Sequence, residues 1–308
     1  MRPKTLWLSL LPTLDAILNA RTLTEAADRA FLTQPALSIA LKKARAHFND
    51  ELVLFKGSKV ELTELGMALR PRVRAALAAA REALDLELDF HPATTRRSVK
   101  LMVNSYIEFA LMPRLVAMLR AQAPLIELVV VPFHPLPADS NLLGDIDIIV
   151  AAASMFPPKY AHEKLLVERM TCLVANGNRQ CGAAVSIEEW QRLQHATAAD
   201  IHRIEEVAPP FLGHLAKHHR FALRAYSATS LPYTIVGTDL VVTSMRSYCE
   251  PFTHHLPLRL VELVGDDRTE AALTLDLSIG WKSHRSDEPF IRWLADCFKA
   301  VAAAAPRA

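Results

Sequence analysis

Apolar positions near the amino end recur at helical spacing. Leu6, Leu10, Leu11, Leu14, Ile17 and Leu18 fall mostly three or four apart, which predicts an amphipathic first helix. The stretch TLTEAADRAFLTQPALSIALKKARAHF, Thr22 to Phe48, predicts two more. Thr22 and Glu25 fit a capping box, Thr22 at the N-cap and Glu25 reaching back, ahead of a short helix with Ala26, Ala27 and Ala30. Phe31-Leu32 makes a tight connection. Thr33 caps the next helix, and Pro35 lies in its first turn, where a missing N–H costs nothing. On that helix Leu37, Ala40, Leu41, Ala44 and Phe48 share one face, and Gln34, Ser38, Lys42 and Arg45 share the other.

Leu52–Lys56 and Lys59–Leu62 flank Gly57-Ser58, a two-residue hairpin signal. Residues 64–90 then read as one helix with a seam of Leu65, Leu69, Val73, Ala76, Ala80 and Leu84; Pro71 kinks it or marks its true start. At 1.5 Å per residue it would run about 40 Å. Its seam needs either a coiled-coil partner or the chain that follows it to cover it. HPATTRR, residues 91–97, reads as a linker. From Arg96 onward, strand patterns at Ser98–Val103, Ile126–Val131, Asp145–Ala151, Met170–Ala175, Phe221–Tyr226, Leu240–Ser244 and Leu273–Trp281 alternate with helical patterns at Tyr106–Gln122, Leu231–Val236 and Glu288–Ala302. That alternation is an α/β signature.

Charge sharpens this division. The chain carries a formal +2, but residues 1–75 hold 12 Lys and Arg against 7 Asp and Glu, and the remainder is −3. A basic front on a mildly acidic body points to a polyanion partner for the front. Two short helices with small residues at their crossing make a helix-turn-helix, whose second helix lies in the major groove with its first residues near base edges. Thr33, Gln34 and Pro35 lead that helix. Gln34 can offer a bidentate amide to adenine, and Ser38 can pair with several bases. Lys42, Lys43 and Arg45 suit phosphates, and Lys56 and Lys59 would touch the backbone from the hairpin, acting as a wing. The competing reading is a solvated face on an ordinary α-helical protein.

Other chemistry is thinly represented. Only nine residues are glycine, few for phosphate-cradling loops. No G-x-S-x-G, G-x-G-x-x-G, H-E-x-x-H or Walker pattern occurs, so neither an enzyme nor a cofactor is expected. Cys172, Cys181, Cys249 and Cys297 match no zinc spacing and fit a reduced cytosolic protein. His218-His219 and His254-His255 lack the i, i+4 geometry of a metal pair. Arg2 and Lys4 precede an apolar run, but Asp15 interrupts it, so the first segment reads as a helix rather than an export signal. With no membrane-length apolar stretch, a cytoplasmic protein is expected.

At this point the chain resembles a known family. LTEAADRAFLTQPALSIALKKARAHF followed by ELVLFKGSKVELTELG is similar to the DNA-binding domain of LysR-type transcriptional regulators. VNSYIEFALMPRLVAMLRAQAP, NLLGDIDIIVAA, SLPYTIVGTDLVVTSMRSYCEPF and LDLSIGWKSHRSDEPFIRWLADCF resemble the effector domain of the branch containing regulators of naphthalene/salicylate degradation and rhizobial nodulation. One departure is Lys56, where many members carry Arg; a single ammonium still serves a phosphate but not a bidentate base contact. The resemblance implies a winged helix-turn-helix domain over 1–63, a linker and dimerisation helix over 64–95, and an effector-binding domain over 96–308. That domain would be α/β and similar to a periplasmic binding protein, with one subdomain at about 96–168 plus 270–308 and a second at about 169–269. It further implies a homodimer or homotetramer on double-stranded promoter DNA, a small-molecule effector, and RNA polymerase as a partner.

Effectors in such folds lie at the C-terminal ends of strands. Asn104-Ser105 follows the first strand and opens a helix; Ser227-Ala228-Thr229-Ser230 precedes another. Each puts capping side chains and N–H groups where an anion can sit, which suggests an acidic or aromatic ligand, although plain capping explains the same residues. Phe133, His134, Ala151, Ala152, Thr229 and Ser230 are candidate lining residues, with His202 and Arg203 in the variable region. Two rival functions are a solute-binding protein and a DNA-binding protein that needs no ligand.

Overall fold

The structure is a computed structural model that describes residues 10–56, 59–84, 90–134, 136–138, 143–198, 220–265 and 273–304. The chain forms two compact units, Met1–Leu86 with Asp139–Asp145, and Glu87–Ala138 with Ile146–Ala308.

The first unit is helical. It contains α1 (Leu11–Asn19), α2 (Leu23–Arg29), α3 (Gln34–Phe48), a hairpin of β1 (Val53–Lys56) and β2 (Lys59–Leu62), and α4 (Glu64–Leu84). Its core joins Leu14, Ile17 and Leu18 of α1 to Ala26, Ala27, Leu37, Leu41, Ala44, Leu52, Val53 and Val73. The hairpin pairs Val53 with Leu62 and Lys56 with Lys59; Gly57-Ser58 lies outside the described residues. Pro71 sits inside α4 rather than at its start, and the helix continues through it. The expected seam divides. Val73 is buried and Leu69 half-buried in the unit's own core, whereas Leu65, Ala76 and Ala80 remain exposed.

A tight junction fixes the hairpin to α4. Asp50 Oδ1 accepts from the Leu52 N–H at 2.6 Å and from Thr63 Oγ1 at 2.6 Å, and Thr63 Oγ1 accepts from the Gly66 N–H at 3.0 Å. These two bonds hold the Asp50 carboxyl below the usual carboxylate range, the Thr63 hydroxyl contributing most. Leu52 takes φ +61° to reach this geometry. A Cβ on Gly66 would stand 2.2 Å from the Leu52 carbonyl oxygen, so glycine is required for the approach.

The second unit is α/β. Its strands are β3 (Ser98–Val103), β4 (Glu127–Pro132), β5 (Ile148–Ala152), β6 (Tyr160–Ala175), β7 (Ala184–Ser186), β8 (Gln194–Ala198), β9 (Arg220–Ala225), β10 (Val241–Met245), β11 (Leu258–Val264) and β12 (Thr274–Lys282). The helices are α5 (Ser105–Gln122), α6 (Ile187–Trp190), α7 (Leu231–Thr234), α8 (Arg246–Thr253) and α9 (Pro289–Ala303). The path of pairing is β4-β3-β5-β12-β6-β10-β8-β9, with β11 also on β6 and β7 on β11. β6 belongs to both halves of this path. Its first part, Tyr160 to Arg169, pairs with β12, and its last part pairs with β10 and β11. The sequence pattern shows only the last six residues of this strand, because the first part mixes buried, half-buried and exposed positions with neither an apolar run nor a regular alternation.

A buried ion cluster fastens the β3–β5 edge to the start of α9. Arg285, 1% exposed, donates to Asp147 Oδ1 at 2.7 Å and to both oxygens of Glu288 at 2.8 Å. Asp147 also accepts from Arg97 and from the Lys100 N–H. Each member is satisfied by the others, which is the condition under which buried charge is tolerated. No helix among the described residues is long and apolar enough to cross a membrane.

Two outcomes follow from this packing. Gly66→Ala is expected to destabilise the first unit by about 1–3 kcal/mol, the usual cost of overpacking, measured as a lower urea midpoint for its unfolding transition. A parental midpoint would mean that the Leu52 carbonyl moves aside freely. Glu168 lies in β6 beside the start of α8, 9% exposed, and burial pushes its carboxyl above the ordinary 4.5. The folded chain therefore holds this proton more firmly than the unfolded one. The resulting stability is present below pH 4.5 and is lost as pH rises through the raised folded value. Glu168→Gln is expected to gain stability relative to the parent as pH rises from below that point to neutrality; a constant difference across the range would exclude this role.

Candidate nucleic-acid interface and ligand cleft

Helices α2 and α3 meet as the sequence pattern requires. Thr22 Oγ1 accepts from the Glu25 N–H at 3.1 Å, and Thr33 Oγ1 accepts from the Ala36 N–H at 3.4 Å. The Glu25 carboxylate reaches one residue further back than a capping box expects, accepting from the Arg21 N–H at 2.8 Å rather than from Thr22. Phe31 turns the chain between the helices at φ +53°, a left-handed conformation unusual for a side chain of this size.

Burial of Leu37, Ala40, Leu41 and Ala44 sets the rotation of α3 about its axis. Thr33, Gln34, Pro35, Ser38, Lys42 and Lys43 are all exposed. Two of the expected contact residues are engaged within the chain. Gln34 Nε2 donates to Thr24 Oγ1 at 2.9 Å, bridging the first turns of α2 and α3. Arg45 is half-buried: Nε donates to the Glu51 carbonyl at 3.0 Å, Nη2 to the Val53 carbonyl at 2.9 Å, and Nη2 pairs with the Glu51 carboxylate at 2.9 Å. Arg45 keeps the side expected of it, lining one concavity with Ser38 and Lys42, but its guanidinium is engaged within the chain. It sits at the border of the buried face and clamps the helix to the chain entering the hairpin. Pairing places Lys56 opposite Lys59, and their side chains lie outside the described residues.

Ile39 was not among the residues singled out from sequence. It is 59% exposed, on the same outward face as Pro35, Ser38, Lys42 and Lys43. Sorting residues into apolar and polar assigns it to the core; counting its direction around the helix does not.

In the second unit, β3, β4 and β5 run parallel, with Val103 opposite Pro132 and Met102 opposite Ile149. Their C-terminal ends therefore share one sheet edge, which carries Asn104, Ser105, Phe133, His134, Ala151 and Ala152. Phe133 is half-buried, His134 exposed, and both alanines buried. The two candidate helix starts touch. Asn104 Oδ1 caps α5 by accepting from the Ile107 N–H at 2.9 Å, and Ser105 Oγ accepts from the Ala228 N–H at 3.2 Å. Ser227 Oγ accepts from the Thr229 N–H at 3.3 Å, while Ser230 Oγ donates to the Ser227 carbonyl at 3.1 Å. Several N–H groups read from sequence as anion donors thus already have acceptors in the chain. Thr229 and Ser230 are exposed; His202 and Arg203 lie outside the described residues.

Behind this contact lies an aromatic group that the sequence pattern did not reveal. Tyr248 of α8 donates to the Ala228 carbonyl at 2.6 Å and meets Tyr106 edge-on at 4.7 Å. Phe109 of α5 stacks on Phe252 of α8 at 4.7 Å. Aromatic spacing in SYIEF and SYCEPF is the signal that marks both helices. Among the described residues, surface concavities lie elsewhere as well. One of about 710 Å³ is bordered by Ser38, Lys42, Arg45 and Glu51, and one of about 490 Å³ by His162, Trp281, Arg292 and Lys299.

The four cysteines are buried, and burial raises every thiol, Cys172 to about 12 and Cys297 to about 11. Such thiols are inert at neutral pH. Among the described residues no cluster of His, Cys, Asp and Glu could hold a metal ion.

Comparison with known proteins gives this geometry a context. Residues 8–67 match the family model described as "Bacterial regulatory helix-turn-helix protein, lysR family", and residues 92–303 match that of the "LysR substrate binding domain". Nodulation protein D 1 of Sinorhizobium fredii is 28% identical over 301 residues, covering 97% of this chain and 91% of that protein. Among solved structures, full-length OxyR of Pseudomonas aeruginosa aligns over 95% of this chain and 94% of its own, with TM-score 0.71 and 18% identity. A probable transcriptional regulator of the same organism aligns over 95% and 96%, with TM-score 0.64 and 22% identity. Structural likeness at such identities establishes the fold: a helix-turn-helix domain followed by a two-subdomain body like that of a periplasmic binding protein. With family models matched over both units, the chain belongs to the LysR family of transcriptional regulators, which bind DNA and small effectors.

Proposed function

We propose that α3 enters the major groove of promoter DNA and that Ser38, Lys42 and Lys43 make its direct contacts. The observation that carries this is the outward face of α3, held polar side out by a core on its other side. Thr33 and Pro35 shape the helix start. Gln34 reaches adenine only by giving up its bond to Thr24, or it acts by holding α2 and α3 in register. Arg45 positions the wing, from which Lys56 and Lys59 touch phosphates. Phosphate contacts supply affinity and base contacts supply selectivity.

The same reading places a small acidic or aromatic effector at the sheet edge formed by Asn104, Ser105, Phe133, His134, Ala151 and Ala152, facing Thr229 and Ser230. His202 and Arg203 complete the expected set. An effector that prefers one arrangement of this cleft shifts the population toward it, and DNA affinity shifts by the same coupling free energy. The exposed part of α4 (Leu65, Ala76 and Ala80) suits a second copy of the chain, giving a cytoplasmic homodimer that can pair into a tetramer and contact RNA polymerase. Small residues there allow close helix approach.

Replacing Lys42 and Lys43 together by Ala is expected to weaken binding across all duplexes and to reduce the slope of log K against log salt by roughly one per phosphate contact removed, read by fluorescence anisotropy over a salt series. An unchanged slope would remove both lysines from the interface. Ala76→Glu is expected to shift the protein toward monomers in sedimentation velocity at micromolar concentration. A fully retained dimer would place the dimer contact elsewhere.

A further inference from the structure

We propose that Ile39 is a specificity-determining residue that reads the C5-methyl group of a thymine. This deepens the reading of α3 as the helix in the major groove and rests on it. Among the described residues, Ile39 is the one large apolar side chain of α3 left exposed, at 59%, while Leu37 at 0% and Leu41 at 4% fill the core. It lies on the second turn of the helix, within the amino-terminal part that reaches base edges in this motif. One turn before it is Pro35, and one turn after it are Lys42 and Lys43.

That setting selects the ligand chemistry. An apolar side chain ringed by two ammonium groups suits a surface that is anionic at its margins and apolar at one spot. A major groove carrying an A·T pair offers both, with phosphates on each side and a methyl group on the thymine edge. A protein partner would favour a face depleted of lysine. Branching at Cβ restricts Ile39 to few rotamers in a helix, so its methyl surface is presented at little entropic cost. Hydrogen-bond readout by Ser38 is permissive, because a hydroxyl pairs with either edge. Ile39 supplies the discrimination Ser38 lacks.

The test uses the full-length chain and duplexes it enriches from a random-sequence library. Each recurrent thymine is replaced singly by deoxyuridine, which removes the methyl and leaves the hydrogen-bonding edge unchanged. At one position per half-site, this replacement is expected to weaken binding about fourfold, the worth of one buried CH₂-sized group. Ile39→Ala is expected to erase the thymine preference at that position alone, and Ile39→Val to retain most of it. Both variants are expected to keep the parental circular dichroism spectrum, since the site is exposed. The inference is overturned if no thymine position responds to loss of its methyl, or if Ile39→Ala keeps the full preference. Failure to enrich any sequence would instead overturn the DNA reading itself.

Discussion

Everything the first unit offers to a partner depends on which side of α3 is buried. Leu37, Leu41 and Ala44 meet α1, α2 and the start of the hairpin in one cluster, so rotation of α3 about its axis would expose this apolar row. Burying Leu37 and Leu41 is worth about 1.5–3 kcal/mol each, which outweighs any single exposed hydrogen bond on the opposite face. The polar stripe is therefore a consequence of core packing. Side chains at its centre are free to meet a partner, while those at its border are drawn into the fold. Arg45 and Gln34 are border residues, and each is hydrogen-bonded within the unit.

This distinction explains what was legible in the sequence. Caps at Thr22 and Thr33, the buried row of α3 and the β1–β2 pairing are local, and their spacing gives them away. The fate of Arg45 is not local. Its partners, Glu51 and Val53, lie beyond the end of the helix, and only the left-handed turns at Asn49 and Leu52 bring their carbonyls within reach. Glu25 shows the same effect on a smaller scale, choosing the Arg21 N–H over that of Thr22. The exposure of Ile39 is hidden in the sequence for another reason. A two-letter alphabet of apolar and polar residues places isoleucine inside, although helix geometry turns it outward.

In the second unit, strands buried on both faces were readable as apolar runs, β5 above all, with every position buried. Strands without a long buried run were harder. β6 shows only its last third in the pattern, and β11 and β8 show no strand signal in the sequence although both are paired along most of their length. The contact between Ser105 and Ala228 joins residues 123 positions apart, and no spacing rule reaches that far. Spacing marks both helix starts as places where capping side chains and N–H groups gather. It could not show that they bond to each other.

That bond bears on how an effector could act. Ser105 and Tyr248 both hold the Ala228 peptide, one through its N–H and one through its carbonyl. A ligand competing for Ser105 would release one of these bonds while the aromatic packing of Tyr106, Phe109, Tyr248 and Phe252 keeps α5 against α8. The helices would then stay docked while the segment from Ser227 to Ser230 adjusts. Since a typical hydrogen bond contributes only about 0.5–1.5 kcal/mol net, its exchange is small enough to be offset by a modest ligand. It is also comparable to the 1–3 kcal/mol, roughly, over which effectors couple to a second site. The segment from Ser227 to Ser230 is thus held on both sides of Ala228, by a serine of α5 at its N–H and by a tyrosine of α8 at its carbonyl.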